Sequence, residues 1–164
     1  MREWNVERIA SDAWERVRAI RLRALADEPD AFGTTLAEDE ARPLGEWRTR
    51  LEDPEAATFL AIAGGREVGL VTVRPYEEKV GPAGLFGMWV APEDRGRGIG
   101  GALVDSVVAW ARARGYERIL LDVADANPEA IRLYESKGFR PTGATGSLPA
   151  PREHVLEHQR ALAL

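Results

Sequence analysis

The sequence predicts an α/β fold, of the α+β kind, in which helices cover both faces of one mixed β-sheet. Residues 58–73 form two apolar runs around a glycine turn, as in an antiparallel hairpin. Residues 85–123 form an apolar strand, a glycine-rich loop, an amphipathic helix and a second apolar strand, as in a right-handed βαβ unit. With 45% hydrophobic and 30% charged residues, we expect residues 1–164 to be a single domain.

The first part of the chain is predicted to form a strand and two helices before the hairpin. Asp12 and Glu15 have the spacing of a capping box at the start of the first helix, and Pro29 ends that helix. The acidic residues 38–40 are either a solvated turn or a group that binds an amine. The predicted elements are a strand at 5–9, a helix from 11 to 28, a loop or short turn at 30–40, a helix at 43–51, strands at 58–63 and 67–73, and an exposed loop at 76–83.

The second part of the chain contains a clearly marked helix at 127–138. Asn127 is predicted at its N-cap and Pro128 at its first position, and Gly138 follows its last turn. The other predicted elements are a strand at 85–90, a helix from 99, a strand at 118–123, a strand starting at 139, a flexible loop at 143–151 and a last strand at 153–162, which gives about seven strands in all.

The glycine-rich segment 95–101 is predicted to bind an anion. It lies where a strand ends and a helix begins, so free backbone N–H groups and the positive end of the helix dipole point at a ligand there. Arg95 and Arg97 add positive charge, which suits a diphosphate. Residues 96–101 also satisfy the dinucleotide fingerprint G-x-G-x-x-G, with Asp122 downstream, but only 63 residues follow Gly101, too few for the further βα units of that fold.

Two segments in the right order resemble the GNAT superfamily of N-acetyltransferases, and the resemblance covers roughly residues 85–143. The acyl-CoA signature V-x-P-x-x-R-G-x-G-x-G is matched by Val90, Pro92, Arg95, Gly96, Gly98 and Gly100. The downstream signature N-x-x-A-x-x-L-Y-x-x-x-G-F is matched by Asn127, Ala130, Leu133, Tyr134, Gly138 and Phe139.

The resemblance implies that acetyl-CoA, as the cosubstrate, enters a gap between two parallel strands that splay apart. It also implies that the transfer acceptor is a primary amine of a small molecule or of a peptide N-terminus. A non-catalytic acyl-CoA sensor of the same fold is the alternative function. The cofactor-binding residues implied by the resemblance are Met88, Trp89, Val90, Arg95, Gly96, Arg97, Gly98, Ile99, Gly100, Gly101, Asn127 and Tyr134.

Three residues are implied to act in catalysis. The Val90 N–H would polarise the thioester carbonyl, and Tyr134 would protonate the departing thiolate, although its spacing also fits a packed helix aromatic. Asp122 lies where ribosomal-protein alanine acetyltransferases have a glutamate base. A base is needed because an amine with a pKa of about 10.4 is only about 0.1% neutral at pH 7.4. Asp122 is therefore a candidate base, with a purely structural role left open. Asn127 would hold the pantetheine arm, cap its helix, or do both.

Composition excludes several other functions. A net charge of −5 argues against nucleic-acid binding, and no cysteine is available as an acyl carrier, so we expect direct transfer in a ternary complex. No signal-peptide pattern or long apolar stretch is present, so we expect a cytoplasmic protein with no membrane partner. Residues 154–158 spell the zinc motif H-x-x-E-H, but no third ligand follows them, and we expect no metal. Formation of a homodimer is possible.

Overall fold

The computed structural model describes residues 3–78 and 81–164. Single 3₁₀ turns at Ser11–Ala13, Pro29–Ala31 and Pro92–Asp94 link some of the elements. The regular elements in chain order are β1 (Trp4–Arg8), α1 (Trp14–Asp27), α2 (Leu36–Ala41), α3 (Leu44–Glu52), β2 (Ala57–Ala63), β3 (Arg66–Pro75), β4 (Ala83–Val90), α4 (Ile99–Ala113), β5 (Arg118–Ala124), α5 (Pro128–Ser136), β6 (Arg140–Ser147) and β7 (Leu156–Ala163).

The strands form one mixed sheet in the order β1-β2-β3-β4-β5-β7-β6. The first four strands pair antiparallel, β4 and β5 pair parallel, and β7 inserts antiparallel between β5 and β6. The parallel pair is joined through α4, which forms the predicted βαβ unit. The predicted fold class, with its seven strands, is therefore confirmed.

The core lies on both faces of the central strands. Residues 68–71 of β3 are all buried, and because successive strand side chains point to opposite faces, both faces must be covered. Helix α4 packs across β1 to β5 with its apolar side, including Leu103 and Val107, and α1 packs on β3 with Val17 and Ile20. These helices hold the middle of the sheet rigidly and so fix the positions of the ends of β4 and β5.

A gap opens between β4 and β5. Within the described residues these strands pair at two positions, Ala83 with Ile119 and Gly84 with Leu120, although β4 continues to Val90 and β5 to Ala124. In β4 the register against β3 shifts between Phe86 and Trp89, where Gly87 has a φ of +61°. A bulge of this kind bends its strand and increases the local twist. The splayed pair of parallel strands expected from the resemblance is thus present.

Several predicted elements need correction. The segment 30–40 is not a loop, since it contains a 3₁₀ turn and α2, which Thr35 caps by accepting a hydrogen bond from the Glu38 N–H at 3.1 Å. The predicted capping box at Asp12 does not form, because the residue before the first turn is Ala10 and its side chain offers no acceptor. The predicted flexible loop at 143–151 is shorter, because β6 runs through Ser147.

The predicted loop at 76–83 is described in part, since Lys79 and Val80 lie outside the described residues. No helix among residues 3–78 and 81–164 is long and apolar enough to cross a membrane.

Candidate functional site

The gap between β4 and β5 leads into a cavity with a volume of about 990 Å³. Its walls come from the second half of β4, the glycine-rich loop, the start of α4, the end of β5 and the inner side of α5. The cavity brings together the predicted site residues Met88, Trp89, Val90, Arg95, Gly96, Gly98, Ile99, Gly100, Gly101, Asp122, Asn127 and Tyr134.

The N-terminus of α4 presents free backbone amides to this cavity. Gly98 adopts a left-handed conformation with φ +84°, which reverses the chain immediately before the helix. The Ala102 N–H donates to the Gly98 carbonyl at 3.1 Å, so the amides of residues 99–101 precede the first hydrogen bond of the helix. A Cβ on Gly100 would lie 3.1 Å from the Leu133 side chain, so the start of α4 packs directly on α5. This geometry suits an anion such as a diphosphate.

The two arginines of the loop are already paired with carboxylates. The guanidinium of Arg95 donates to Asp27 at 3.2 Å, to Glu28 at 3.0 Å and to the Val90 carbonyl at 3.0 Å. Arg97 donates to the buried Asp94 at 2.7 Å and lines a second cleft, which adjoins the β4–β5 cavity at Gly98 and Gly101. The loop arginines therefore hold the loop in shape, and the backbone amides are left as the main positive groups facing a diphosphate.

The end of β4 is fixed so that one backbone N–H faces the gap. The Ala91 N–H donates to the Val68 carbonyl of β3 at 2.8 Å, and successive amides of a strand point to opposite edges. The Val90 N–H is accordingly directed toward β5 and the gap. The indole N–H of the buried Trp89 donates to Asp27 at 3.0 Å, which ties this end of β4 to the end of α1.

Tyr134 lies in the cavity wall with its side chain 5% exposed. Burial, and secondarily the negative charge of Glu28, raise the pKa of its phenol above the usual range, so the hydroxyl keeps its proton at physiological pH. The ring packs edge-on against Phe139, with a centroid distance of 5.8 Å. Asn127 caps α5 by accepting a hydrogen bond from the Ala130 N–H at 3.2 Å, and it also lines the cavity.

Asp122 lies on the exposed side of β5, facing the cavity, and is not enclosed among apolar side chains. Its Oδ2 accepts a hydrogen bond from the Tyr76 hydroxyl at 2.7 Å, and Gln159 of β7 donates to the same hydroxyl at 3.2 Å. Oδ1 has no hydrogen-bond partner among the described residues. Asp122 is therefore oriented by one oxygen and accessible through the other, which is the arrangement that a general base needs.

Sequence reasoning missed two polar residues beside Asp122. Tyr76, in the segment after β3, reaches Asp122 across 46 positions of sequence, which no local pattern reveals. Glu157 of β7 lines the same cavity, and burial together with the charge of Asp122 raises the pKa of its carboxyl. The alternation of strand residues could have suggested Glu157, because β7 runs beside β5 and pairs Glu157 with Ala124.

The acidic segment 38–40 is neither a simple solvated turn nor an open amine site. Asp39 is 2% exposed, and its carboxylate accepts hydrogen bonds from Arg42 at 2.8 Å, Thr34 at 3.0 Å and Arg21 at 3.1 Å. These donors hold the pKa of the Asp39 carboxyl below its usual value despite burial. Asp39 therefore stabilises the segment between α1 and α3.

The zinc-like motif at 154–158 does not have the helical geometry that such a motif requires. His158 lies on β7, and its Nδ1 pairs with the Asp125 carboxylate. Among the residues that the structure describes, no group of three His, Cys, Asp or Glu side chains is placed to hold a metal ion.

Comparison with known proteins agrees with this geometry. Residues 14–139 match the model of the "Acetyltransferase (GNAT) family". A mycothiol acetyltransferase of Thermobispora bispora is 37% identical over 132 residues, which cover 78% of this chain and 42% of that protein. The chain thus spans less than half the length of this relative.

Solved structures show the same fold over nearly the whole chain. A GNAT-family acetyltransferase from Streptococcus pneumoniae superposes with a TM-score of 0.83 at 18% identity, covering 99% of both chains. The putative acetyltransferase YncA from Salmonella typhimurium, solved with its cofactor acetyl-CoA, gives a TM-score of 0.81 at 16% identity, covering 99% of this chain and 95% of that one. The family match, the fold and the gap between β4 and β5 agree, and the chain belongs to the GNAT acetyltransferase family.

Proposed function

We propose that the protein transfers an acetyl group from acetyl-CoA directly to a primary amine of a small molecule or of a peptide N-terminus. The observation that carries this proposal is the gap between β4 and β5, which places a helix N-terminus, a strand amide, a buried tyrosine and an exposed carboxylate around one cavity. The cosubstrate's diphosphate would bind the amides of residues 99–101, and its pantetheine arm would run along β4 toward Asn127 and Tyr134.

The chemistry then divides among three groups of this chain. Asp122 Oδ1 takes the proton of the acceptor ammonium, which leaves a neutral amine to attack the thioester carbonyl. The Val90 N–H stabilises the negative charge that develops on the carbonyl oxygen. As the C–S bond breaks, the Tyr134 hydroxyl gives its proton to the thiolate sulfur, and CoA leaves as the free thiol. The nitrogen, which is cationic after the attack, releases its second proton to solvent and becomes the neutral amide, and the Tyr134 phenolate and Asp122 exchange protons with solvent before the next turnover. The retained, protonated Tyr134 supports an enzyme over a sensor.

The Asp122→Asn variant tests the base. Its kcat/KM at neutral pH should fall on the order of 100-fold, because the amide has the shape of the carboxylate but cannot accept the proton. The loss should shrink as pH rises toward the acceptor's own pKa, since the amine then deprotonates without help. Asp125→Asn, which changes a carboxylate of the same strand end outside the cavity, serves as the control. Activity of Asp122→Asn within about threefold of wild type at pH 7 would remove Asp122 from the mechanism.

Direct transfer predicts a ternary complex. Initial rates measured over a grid of acetyl-CoA and acceptor concentrations should give double-reciprocal lines that intersect, because both substrates must be bound before the acetyl group moves. The chain has no cysteine to carry the group. Parallel lines, or acetylated protein recovered after incubation with acetyl-CoA alone, would contradict direct transfer.

A screen of primary amines, with release of the CoA thiol as the readout, tests the function itself. The panel should contain amino acids, peptides with free N-termini, polyamines and amino sugars. We expect acetyl-CoA to be consumed in an amine-dependent way with at least one class. A protein that binds acetyl-CoA and releases no CoA with any of them would be a sensor.

A further inference from the structure

Two arginines lie at the end of the cavity remote from the glycine-rich loop. Arg74 of β3 pairs with Gly84 of β4, six residues before Val90, which corresponds to roughly 20 Å along the strand at about 3.3 Å per residue. Arg50 is in the last turn of α3 and lines the same cavity. Arg50 and Arg74 line one cavity, and burial, with the charge of Arg50 as a second cause, lowers the pKa of Arg74. This positive pair is distinct from the diphosphate end of the cavity.

Neither guanidinium forms an ion pair or a hydrogen bond in the described part of the chain. The carboxylates of Asp39 and Glu46 act on Arg50 electrostatically, but both form ion pairs with Arg42. The Arg74 guanidinium lies over the Phe86 ring at 3.8 Å. The carboxylates next to Arg50 in sequence are engaged elsewhere, since Glu52 pairs with Arg48 at 3.2 Å and Asp53 accepts from a backbone N–H at 2.9 Å. Partial burial lowers the pKa of both arginines, and an anion bound in the cavity between them would offset the cost of burying their charges.

Arg74 is connected to the candidate base through two aromatic rings. The Phe86 ring, which contacts Arg74, also stacks on Tyr76 with a centroid distance of 6.1 Å. The Tyr76 hydroxyl in turn donates to Asp122 at 2.7 Å. The arginine and the carboxylate therefore lie on opposite sides of one stacked aromatic pair. Arg50, Arg74 and Asp122 all line the same cavity, so an acceptor whose ammonium binds Asp122 has the arginines on another wall of that cavity.

We propose that the acetyl acceptor carries an anionic group, a carboxylate or a phosphate, which Arg50 and Arg74 bind together. The proposal rests on the function proposed above and specifies its substrate class. Guanidinium groups present several N–H donors in a plane and bind carboxylates and phosphates with paired hydrogen bonds, so the two side chains would select anionic amines over neutral ones.

Matched acceptor pairs test the proposal and separate the two anions. One pair is an amino acid and its carboxamide, and the other is phosphoethanolamine and ethanolamine. Each kcat/KM is calculated with the concentration of the neutral amine, because the two members of a pair differ in amine pKa. We expect the anionic member of at least one pair to react tenfold or more faster than its uncharged twin. A preference confined to the first pair identifies a carboxylate, and one confined to the second identifies a phosphate. Uncharged members that react as fast as the anionic ones would overturn the proposal.

Variants show whether the two arginines are responsible. Arg50→Gln and Arg74→Gln should each lower kcat/KM for the preferred anionic acceptor about tenfold or more, while the uncharged twin and the KM for acetyl-CoA stay within about threefold. Arg50→Lys and Arg74→Lys should retain part of the preference, because the charge remains. Arg48→Gln, an equal charge change on the same helix outside the cavity, should have no effect. Equal slowing of both twins would assign the arginines a structural role and overturn the proposal.

A binding measurement keeps this inference separate from the function. Inorganic phosphate titrated into CoA-saturated protein should bind wild type and Arg48→Gln but not the Arg50→Gln/Arg74→Gln double variant. Equal phosphate binding by wild type and the double variant would overturn the arginine site. A protein that acetylates no amine contradicts the proposed function, and the phosphate titration then decides the arginine site alone.

Discussion

Replacing Tyr134 with phenylalanine should lower kcat on the order of 100-fold or more while leaving acetyl-CoA affinity and melting temperature nearly unchanged. The substitution keeps the ring and its edge-on contact with Phe139 and removes the hydroxyl. Burial raises the pKa of that hydroxyl, so wild-type Tyr134 keeps its proton throughout the assay pH range. The fall in kcat of the variant then reports the missing proton donor alone. Steady-state kinetics on an acceptor identified by the amine screen would measure it.

Tyr116→Phe is the matched control for Tyr134→Phe. Tyr116 stacks on Trp110 at 6.0 Å and does not line the cavity, so its hydroxyl should not affect kcat. The assay should be run below a thiol pKa of about 8.5, because the thiolate leaves more readily without a proton at higher pH. A Tyr134→Phe enzyme with kcat within about threefold of wild type would show that the tyrosine only packs.

Gly98→Asp should abolish measurable acetyl-CoA binding. The substitution places a carboxylate at the N-terminus of α4, where it would occupy and neutralise the amides that face the diphosphate. A Cβ at this position would meet the Trp4 ring at 3.8 Å, an ordinary contact, so steric exclusion is not the cause. Calorimetric titration with acetyl-CoA is the measurement.

Two further variants separate charge from backbone strain at Gly98. Gly98→Asn imposes the same strain at φ +84° without the charge, so its affinity should lie well above that of Gly98→Asp. Gly143→Asp places an aspartate at φ +91° in β6, outside the cavity. This variant measures how much the strain and the added charge reduce stability when acetyl-CoA binding is not affected. Unchanged affinity in a folded Gly98→Asp protein would mean that the diphosphate binds elsewhere.

The parts of the fold that sequence predicted are those with strong local signals. Helix α5 was located because Asn127, Pro128 and Gly138 mark its ends, and the structure confirms the Asn127 cap. The parts that were wrong depend on distant residues. Helix α2 contains a buried Asp39, which is stable there because Arg21 of α1 donates to it. Strand β6 is predicted to begin at residue 139, but its continuation through Ser147 is not, because the whole strand is exposed and pairing with β7, not an apolar pattern, defines it.

The candidate site also has one part with local sequence signals and another part that depends on contacts between distant residues. The proposed cosubstrate end is formed by residues 88–101 and 127–134, two segments that each carry a motif, so its residues could be named from sequence, and all of the predicted ones except Arg97 line the cavity. The proposed acceptor end is assembled from α3, β3, β4, β5 and β7. Its Arg50, Arg74 and Glu157 line one cavity, and Tyr76 contacts Asp122 beside it, only when the sheet forms. Their roles therefore depend on tertiary contacts that no spacing in the sequence reports.

The stoichiometry of a single reaction tests the central claim most directly. Purified protein, acetyl-CoA and an acceptor from the screen are incubated together, and released CoA thiol and acetylated amine are quantified in the same sample, the second by mass spectrometry. Direct transfer predicts one equivalent of amide for each equivalent of CoA, with both products reduced on the order of 100-fold in Tyr134→Phe. CoA release without a matching amide, or no amine-dependent release at all, would contradict the account.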